Sequence, residues 1–345
     1  MTNPIYHIDS IASFENRINK LGKTWTNIYI LVDENTKKHC YPLLLDANPF
    51  LEVANLLVLD AGEDYKTLEI CDSLWSSLID TGADRKSLII NLGGGVITDM
   101  GGFVASTFKR GIDFIHIPTT LLGQVDAAFG GKTGVNLEYS KNQVGTFTHP
   151  LFTFIDSQFL RTLPERELLS GFGEVVKYGL IADKALFELL KDKENLIQNL
   201  DSIIATSIKI KEGYVLNDFK ESGDRKKLNF GHSVGHAIES YYMGEVLHGE
   251  AISAGMICES YLSFTEKLIS QEDLNQVIEM VFSFFSKIEL EEKMMEPLIN
   301  ELKADKKNEN GVMNFTLING IGESSINHFL GEEKVKESLM FYLNL

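Results

Sequence analysis

In the first half of the chain, apolar positions come in short unbroken runs rather than in alternation. NIYILVDE (27–34), ANLLVLD (54–60), SLIINLG (87–93), DFIHIP (113–118) and LFTFID (151–156) are such runs. A short, continuous, β-branched run fits a strand buried on both faces. Segments with helical period lie between several of them, 67–82 being the clearest. Strands alternating with helices predict a parallel sheet covered on both sides, with right-handed crossovers.

After residue 156 the texture changes. Thr162-Leu-Pro-Glu165 has the form of a helix start, with a Thr cap, an early Pro and a Glu placed for a capping box. Helical period then dominates 183–219, 231–243, 249–268 and 271–302. One stretch, GVMNFTLINGIGES (311–324), alternates like a strand and then turns. The expected architecture is an α/β N-terminal domain with a parallel sheet over 1–157, and a mostly α-helical C-terminal domain over 158–345. No Gly/Ser linker, low-complexity tract or fixed-period repeat interrupts it.

Composition narrows the function classes. The chain has 345 residues, 44% hydrophobic and 23% charged, which is ordinary for a globular protein with room for two domains. A net charge of −17 argues against nucleic acid as partner, since binding phosphate backbones needs surplus Lys and Arg. A local basic pocket for a small anion remains compatible with it. The three cysteines, Cys40, Cys71 and Cys258, are odd in number and far apart, which suggests reduced thiols and a cytoplasmic protein. The N-terminal residues lack a signal-peptide pattern, and no apolar run is long enough to span a membrane.

Chemistry concentrates in four places. Gly93-Gly94-Gly95 follows a strand and opens a helix, where backbone amides bind phosphate and glycine admits close approach. It is not the GxGxxG fingerprint, but Asp99 lies one turn on, AGEDYKT supplies Glu63 and Lys66, and Asp33 ends an earlier strand, where it reads as a ribose ligand or as a turn or cap residue. PTTLLGQVDAAFGGKTGVN contains GGKT but is no P-loop, because Asp126 stands where that motif needs Gly. It offers Thr119, Thr120, Asp126 and Lys132, followed by Lys141 and Asn142, as anion and hydroxyl ligands. GFGEVVKYG puts Glu174 and Lys177 on one helix face, as a metal-completing carboxylate with its neighbour or as a surface ion pair. Lastly, LNFGHSVGHAIESYYMGEVLHGE holds His232, His236 and His248, each beside a glycine. One histidine there would read as a cap or core residue; three read as metal ligands awaiting a carboxylate or water.

In this order, GGGVITD, the PTTLL…VDAAFGGKTGVN block, TLPERELLSGFGEVVKYG and the LNFGHSVGHAIE…LHGE block resemble the 3-dehydroquinate synthase family of sugar phosphate cyclases. The resemblance runs from about Asp33 to Lys307. It implies bound NAD, a divalent metal (Zn2+ or Co2+) and a homodimer. The family's metal ligands fall on Glu174, His232 and His248, which makes His236 a pocket residue beside the metal. NAD contacts fall on Asp33, Glu63, Lys66, Gly94, Gly95, Val96, Asp99, Thr119, Thr120, Phe159 and Thr162, with Lys132 and Lys141 near it. Substrate contacts fall on Asp126, Lys132, Asn142, Lys177, Lys211, Arg225, Asn229, His236 and the Lys306-Lys307 pair. Arg110 is implied to reach the phosphate of the neighbouring subunit's substrate. Two departures stand out, Ala128 where many members have Ser and Gly173 where Ala is common; neither removes a reacting group.

The activity implied is conversion of 3-deoxy-D-arabino-heptulosonate 7-phosphate to 3-dehydroquinate and phosphate in the shikimate pathway, without net oxidation. Other readings are a cyclase making a different carbocycle, an NAD- and metal-dependent polyol dehydrogenase of the same fold, and a catalytically dead binding module. The cluster of Lys132, Asn142, Lys177, Arg225 and Lys306 disfavours the dehydrogenase. A dead module would usually have lost a ligand, and Glu174, His232 and His248 are all present.

Overall fold

The computed structural model describes residues 6–138, 140–219, 221–304 and 312–345. Lys306 and Lys307, expected at the substrate phosphate, lie outside the described residues. The chain divides into two compact units between Pro164 and Glu165.

Among the described residues, the first unit is built on a six-stranded sheet. Its strands are β1 (Tyr6–Ile8), β2 (Ile28–Asp33), β3 (Asn55–Leu59), β4 (Leu88–Gly93), β5 (Asp113–Pro118) and, after a hairpin, β8 (Thr153–Ile155). The hairpin is β6 (Lys132–Leu137) with β7 (Ser140–Phe147). The sheet order is β1-β8-β5-β4-β2-β3, and every paired neighbour runs parallel. All five apolar runs of the sequence are strands of this sheet.

Alternation of side chains across a strand puts successive residues on opposite faces. Tyr29 and Leu31 of β2 join Ile89 of β4 in one buried cluster, beneath helices Leu68–Asp80 and Gly95–Thr107. Ile30 and Val32 join Leu88, Ile90 and Leu92 in the other. Both faces are buried, which is why these strands read as unbroken apolar runs. From β2 the chain passes to β3 on one side, and then to β4 and β5 on the other. The order therefore reverses between β2 and β4, and the crevice at their carboxyl ends is where ligands bind in such sheets.

The second unit is helical with one antiparallel pair, β9 (Met313–Gly320) and β10 (Glu323–Leu330). Its longer helices are Glu165–Ala182, Leu200–Asn217, His232–Tyr241, His248–Thr265, Gln271–Phe282, Met295–Ala304 and Glu332–Leu343. Thr162 does not cap the first of them. It ends a 3₁₀ turn, Ser157–Thr162, because a residue before proline is driven extended and the helix starts only past Pro164. The segments 183–219 and 271–302 each break into separate helices, Lys184–Leu189 with Leu200–Asn217, and Gln271–Phe282 with Met295–Ala304.

Close helix contact in this unit depends on glycine. A Cβ on Gly249 would lie 1.9 Å from the Ser170 carbonyl oxygen, and one on Gly255 would lie 1.9 Å from that of Gly231. A Cβ at Gly173 would stand 2.8 Å from the Gly249 oxygen. The glycine at 173 therefore belongs to the same tight crossing. Helices Glu165–Ala182, His232–Tyr241 and His248–Thr265 are thereby drawn within side-chain reach of one another.

Candidate active site

Those three helices carry the acidic and imidazole groups of the second unit. Glu174 projects from the middle of its helix and is fully buried. His232 opens one helix and His248 opens another. Each presents Nε2 to the same carboxylate oxygen, Glu174 Oε1, at 3.2 Å from His232 and 3.3 Å from His248. The three ligand atoms lie within 4.8 Å of one another. His236 stands beside them, its ring 5.2 Å from that of His232 and 5.8 Å from that of His248.

The electrostatics suit a cation. Lys177 is 1% exposed and forms an ion pair with Glu174 Oε2, so the pair is not a surface one. Burial alone would push the Glu174 carboxyl up, but the Lys177 ammonium and the His232 and His248 imidazoles outweigh it and hold it well below its ordinary value. Burial, then the charge of Lys177, lowers His232, with Glu174 opposing. The His232 Nδ1 lies 3.1 Å from the Phe230 carbonyl, which can only accept, so Nδ1 carries the proton and Nε2 keeps a lone pair. Burial acts against protonation of His248 too, but hydrogen bonds to Glu174 and Glu239 prevail and raise it to about 10. A carboxylate and two imidazoles form a three-ligand set of the catalytic type, which leaves positions open for substrate or water.

The remaining second-unit candidates lie on one helix and the loop after it. Lys211 is buried on helix Leu200–Asn217. Past that helix, the Asp218 carboxylate accepts from the backbone N–H of Ser222, Gly223 and Arg225, at 2.9, 2.6 and 3.2 Å. This folds the loop so that Arg225 is 3% exposed, with Nη1 donating to the Phe219 carbonyl at 2.8 Å. Asn229 Nδ2 donates to Glu221 Oε1 at 2.8 Å.

In the first unit the dinucleotide candidates gather at the carboxyl ends of the strands. Asp33 ends β2, Gly94 and Gly95 follow β4, and Thr119 and Thr120 follow β5. A Cβ on Gly94 would lie 2.9 Å from Thr120 Cγ2, so this turn admits no side chain without a shift. Val96 sits in the first turn of the helix that Gly94 opens. Lys66 is buried and donates to Asp99 Oδ2 at 2.6 Å and to Asn142 Oδ1 at 2.7 Å. Glu63 is tied in through Asn136, whose Nδ2 donates to Glu63 Oε1 at 3.0 Å. Asp33 serves as a helix cap, its Oδ1 accepting from Thr36 N–H at 2.7 Å. Phe159 is 1% exposed within the sheet core, while Thr162 is exposed. Asp126 lies in the turn Gly123–Ala127, half-buried, and Lys132 and Lys141 are exposed on the hairpin. Arg110 is exposed on a turn whose Lys109, Arg110 and Gly111 all have left-handed backbone, with φ of 47°, 70° and 112°.

The model of the 3-dehydroquinate synthase N-terminal domain matches residues 56–170, and that of its C-terminal domain matches 171–308. The chain belongs to the 3-dehydroquinate synthase family. A 3-dehydroquinate synthase from Parabacteroides distasonis is 44% identical over 324 residues, covering 92% of each chain. Among solved structures, 2-epi-5-epi-valiolone synthase from Streptomyces hygroscopicus subsp. jinggangensis 5008, with NAD+ and Zn2+ bound, matches with a TM-score of 0.89 and 25% identity, covering 100% of this chain and 98% of that one. A 2-deoxy-scyllo-inosose synthase complexed with carbaglucose-6-phosphate, NAD+ and Co2+ matches with a TM-score of 0.86 and 26% identity, covering 96% of this chain and 95% of that one.

In this 3-dehydroquinate synthase family member, several polar residues at the site escape sequence reasoning. Glu259, fully buried on helix His248–Thr265, accepts from Gly231 N–H at 2.6 Å and Val234 N–H at 3.3 Å, fixing the start of the helix that bears His232 and His236. Asp218 organises the Arg225 loop, and Asn136 links Glu63 to the Lys66 network. Glu239 faces His248, with Oε2 3.3 Å from Nδ1. Of these, Glu239 has a sequence signal. It is seven residues from His232 and three from His236, hence on the same helix face.

Proposed function

We propose that this chain converts 3-deoxy-D-arabino-heptulosonate 7-phosphate to 3-dehydroquinate and inorganic phosphate, using NAD and a divalent metal, Zn2+ or Co2+. The observation that carries this reading is the convergence of Glu174, His232 and His248, with ligand atoms within 4.8 Å of one another, in a member of this family. Bound NAD would supply a reversible hydride transfer, and the bound metal a Lewis acid that lowers the pKa of a substrate alcohol.

The residues fit both groups. Glu174 Oε1, on a fully buried carboxylate, faces Nε2 of both His232 and His248, and the His232 imidazole keeps its Nε2 lone pair toward it. At the dinucleotide end, the cradle at Gly94 is one that a Cβ would fill, and it opens helix Gly95–Thr107 at the reversal of strand order. Asp33, Glu63, Lys66, Asp99, Thr119 and Thr120 would position the dinucleotide there.

The protein's own part is orientation and charge. Arg225, on the loop that Asp218 orders, offers a planar fork to the substrate carboxylate. Lys132, Lys177, Lys211 and the Lys306-Lys307 pair hold charge developing on the departing phosphate. Asp126, Asn142, Asn229 and His236 bind the hydroxyls that orient the ring. In the elimination, a C–H proton passes to the phosphate and the C–O bond breaks. The hydride would then be returned to the ring, the ring opens to an enolate and a ketone, and their aldol addition closes the carbocycle, so that no net oxidation results.

The active species in this reading is a homodimer. Arg110, exposed on its left-handed turn, reaches the phosphate of the partner's substrate. A cytoplasmic location suits the three buried free thiols.

The test is turnover with NAD and Zn2+ on the heptulosonate phosphate, on a heptulose phosphate lacking the carboxylate, and on simple polyols, with products read by NMR. The expected result is 3-dehydroquinate from the first alone. Equal kcat/KM on the uncarboxylated sugar would reassign the chain to another cyclase. Net NADH from a polyol would make it a dehydrogenase.

A further inference from the structure

His248 is held between two carboxylates. Its Nε2 lies 3.3 Å from Glu174 Oε1 and its Nδ1 lies 3.3 Å from Glu239 Oε2. Glu239 is 8% exposed, so its carboxylate is not a solvated surface group. It comes from helix His232–Tyr241, whereas His248 starts the next helix, so the contact fixes the ring from outside its own element.

A neutral imidazole has one N–H and one lone pair. A ligand at the Glu174 cluster must present the lone pair of Nε2, which requires the proton on Nδ1. For His232 the Phe230 carbonyl meets this need. For His248 the atom in that place is Glu239 Oε2. We propose that Glu239 is a positioning residue of the metal centre, accepting the His248 Nδ1–H and so fixing the tautomer and ring plane in which Nε2 binds the metal. This rests on the metal-site reading above. A carboxylate behind a metal-bound histidine also raises the basicity of the ligating nitrogen, and losing such a partner typically weakens metal binding about 10–100-fold.

One competing use of the same atoms exists. Ligand atoms of His236, Glu239 and His248 also lie within 4.8 Å of one another and could hold an ion through His248 Nδ1. The two uses exclude each other in a neutral ring, because Nδ1 cannot both donate its proton and bind a metal.

The experiment compares wild type, Glu239→Gln and Glu239→Leu. Zn2+ affinity is read by chelator competition, ion stoichiometry by elemental analysis, and the Co2+-loaded absorption spectrum reports ligand geometry. Glu239→Leu is expected to bind Zn2+ about 10–100-fold more weakly with an altered Co2+ spectrum. Glu239→Gln, whose amide oxygen still accepts from Nδ1–H, should recover most of the affinity. A purely structural role would lower the melting temperature of both variants and leave the Zn2+ affinity of the folded protein unchanged, which would overturn the proposal. Two ions per wild-type chain, with one lost on substitution, would overturn it by making Glu239 a ligand. Ring-nitrogen NMR of Zn2+-loaded wild type needs no variant: a protonated His248 Nδ1 is expected, and a bare Nδ1 refutes the proposal. Wild type that takes up no divalent ion would defeat the metal-site reading itself, whereas failure of the Glu239 variants alone would leave that reading intact.

Discussion

At the scale of single residues, the site is decided by which polar groups are buried together. Glu174 and Lys177 are legible as a helical i,i+3 pair, but sequence spacing cannot distinguish a surface pair from a buried one. Their exposures of 0% and 1% do. The histidine window is legible because three imidazoles beside glycines are rare. Glu239, Glu259 and Asp218 are harder to read, since a carboxylate aimed inward has the same letter as one in solvent. Replacing His248 by Ala should strip metal from a protein that still folds and still binds NAD, because one lost ligand opens a three-ligand site. Full metal occupancy of the purified variant, measured by elemental analysis, would contradict this. Arg225→Ala should cost about 2–5 kcal/mol in kcat/KM on the carboxylated substrate, as loss of a buried charge-assisted pair does. An analogue without the carboxylate should lose far less. An unchanged ratio of the two specificity constants would limit Arg225 to holding the loop through Phe219.

Among the elements, the sheet is the most legible part of the fold. Its central strands are buried on both faces, and continuous apolar runs announce that directly. The hairpin β6–β7 is missed because GGKTGVN and KNQVGTF carry little apolar signal, and β1 because a three-residue edge strand has too few positions to show a period. Breaks within the long helical stretches are also hard to see, since polar residues at 190–199 are compatible with either state. The sheet makes a prediction of its own. His116 in β5 is 4% exposed, pairs with Asn91 across the strand, and is lowered by burial to about 3 from its ordinary 6.5. The folded protein keeps this ring neutral, whereas the unfolded chain takes up a proton below 6.5. The stabilising effect is thus intact above 6.5 and is lost as pH falls toward 3, by roughly 1.4 kcal/mol per pH unit. Chemical denaturation at pH 7 and pH 4.5 should show a smaller loss for His116→Gln than for wild type. Equal losses would exclude His116 as the source.

For the whole molecule, the two units divide the work. The first holds the dinucleotide candidates at the carboxyl ends of its strands, and the second holds the candidate metal ligands Glu174, His232 and His248. A net charge of −17 leaves room for an anionic substrate because cations are buried locally, as at Lys211 and Arg225. Assembly is the level least legible in one chain. Arg110→Ala, which should lower activity without disturbing NAD affinity, and His248→Ala, which should abolish it, should recover part of the activity when mixed if the proposed homodimer shares its sites, since a heterodimer then joins one intact metal site with one intact arginine. A mixture no more active than its parts, after subunit exchange is demonstrated by mass, would rule out a shared site.

Redox chemistry is expected to be transient here and to depend on the Glu174–His232–His248 centre. This is tested most directly by stripping the protein with a chelator and titrating Zn2+ back with NAD and the heptulosonate phosphate present. Released phosphate and the absorbance of reduced nicotinamide are followed together. Phosphate release is expected to saturate at one Zn2+ per chain, with no net accumulation of NADH. Turnover in the stripped protein, or NADH accumulating in step with phosphate, would contradict it.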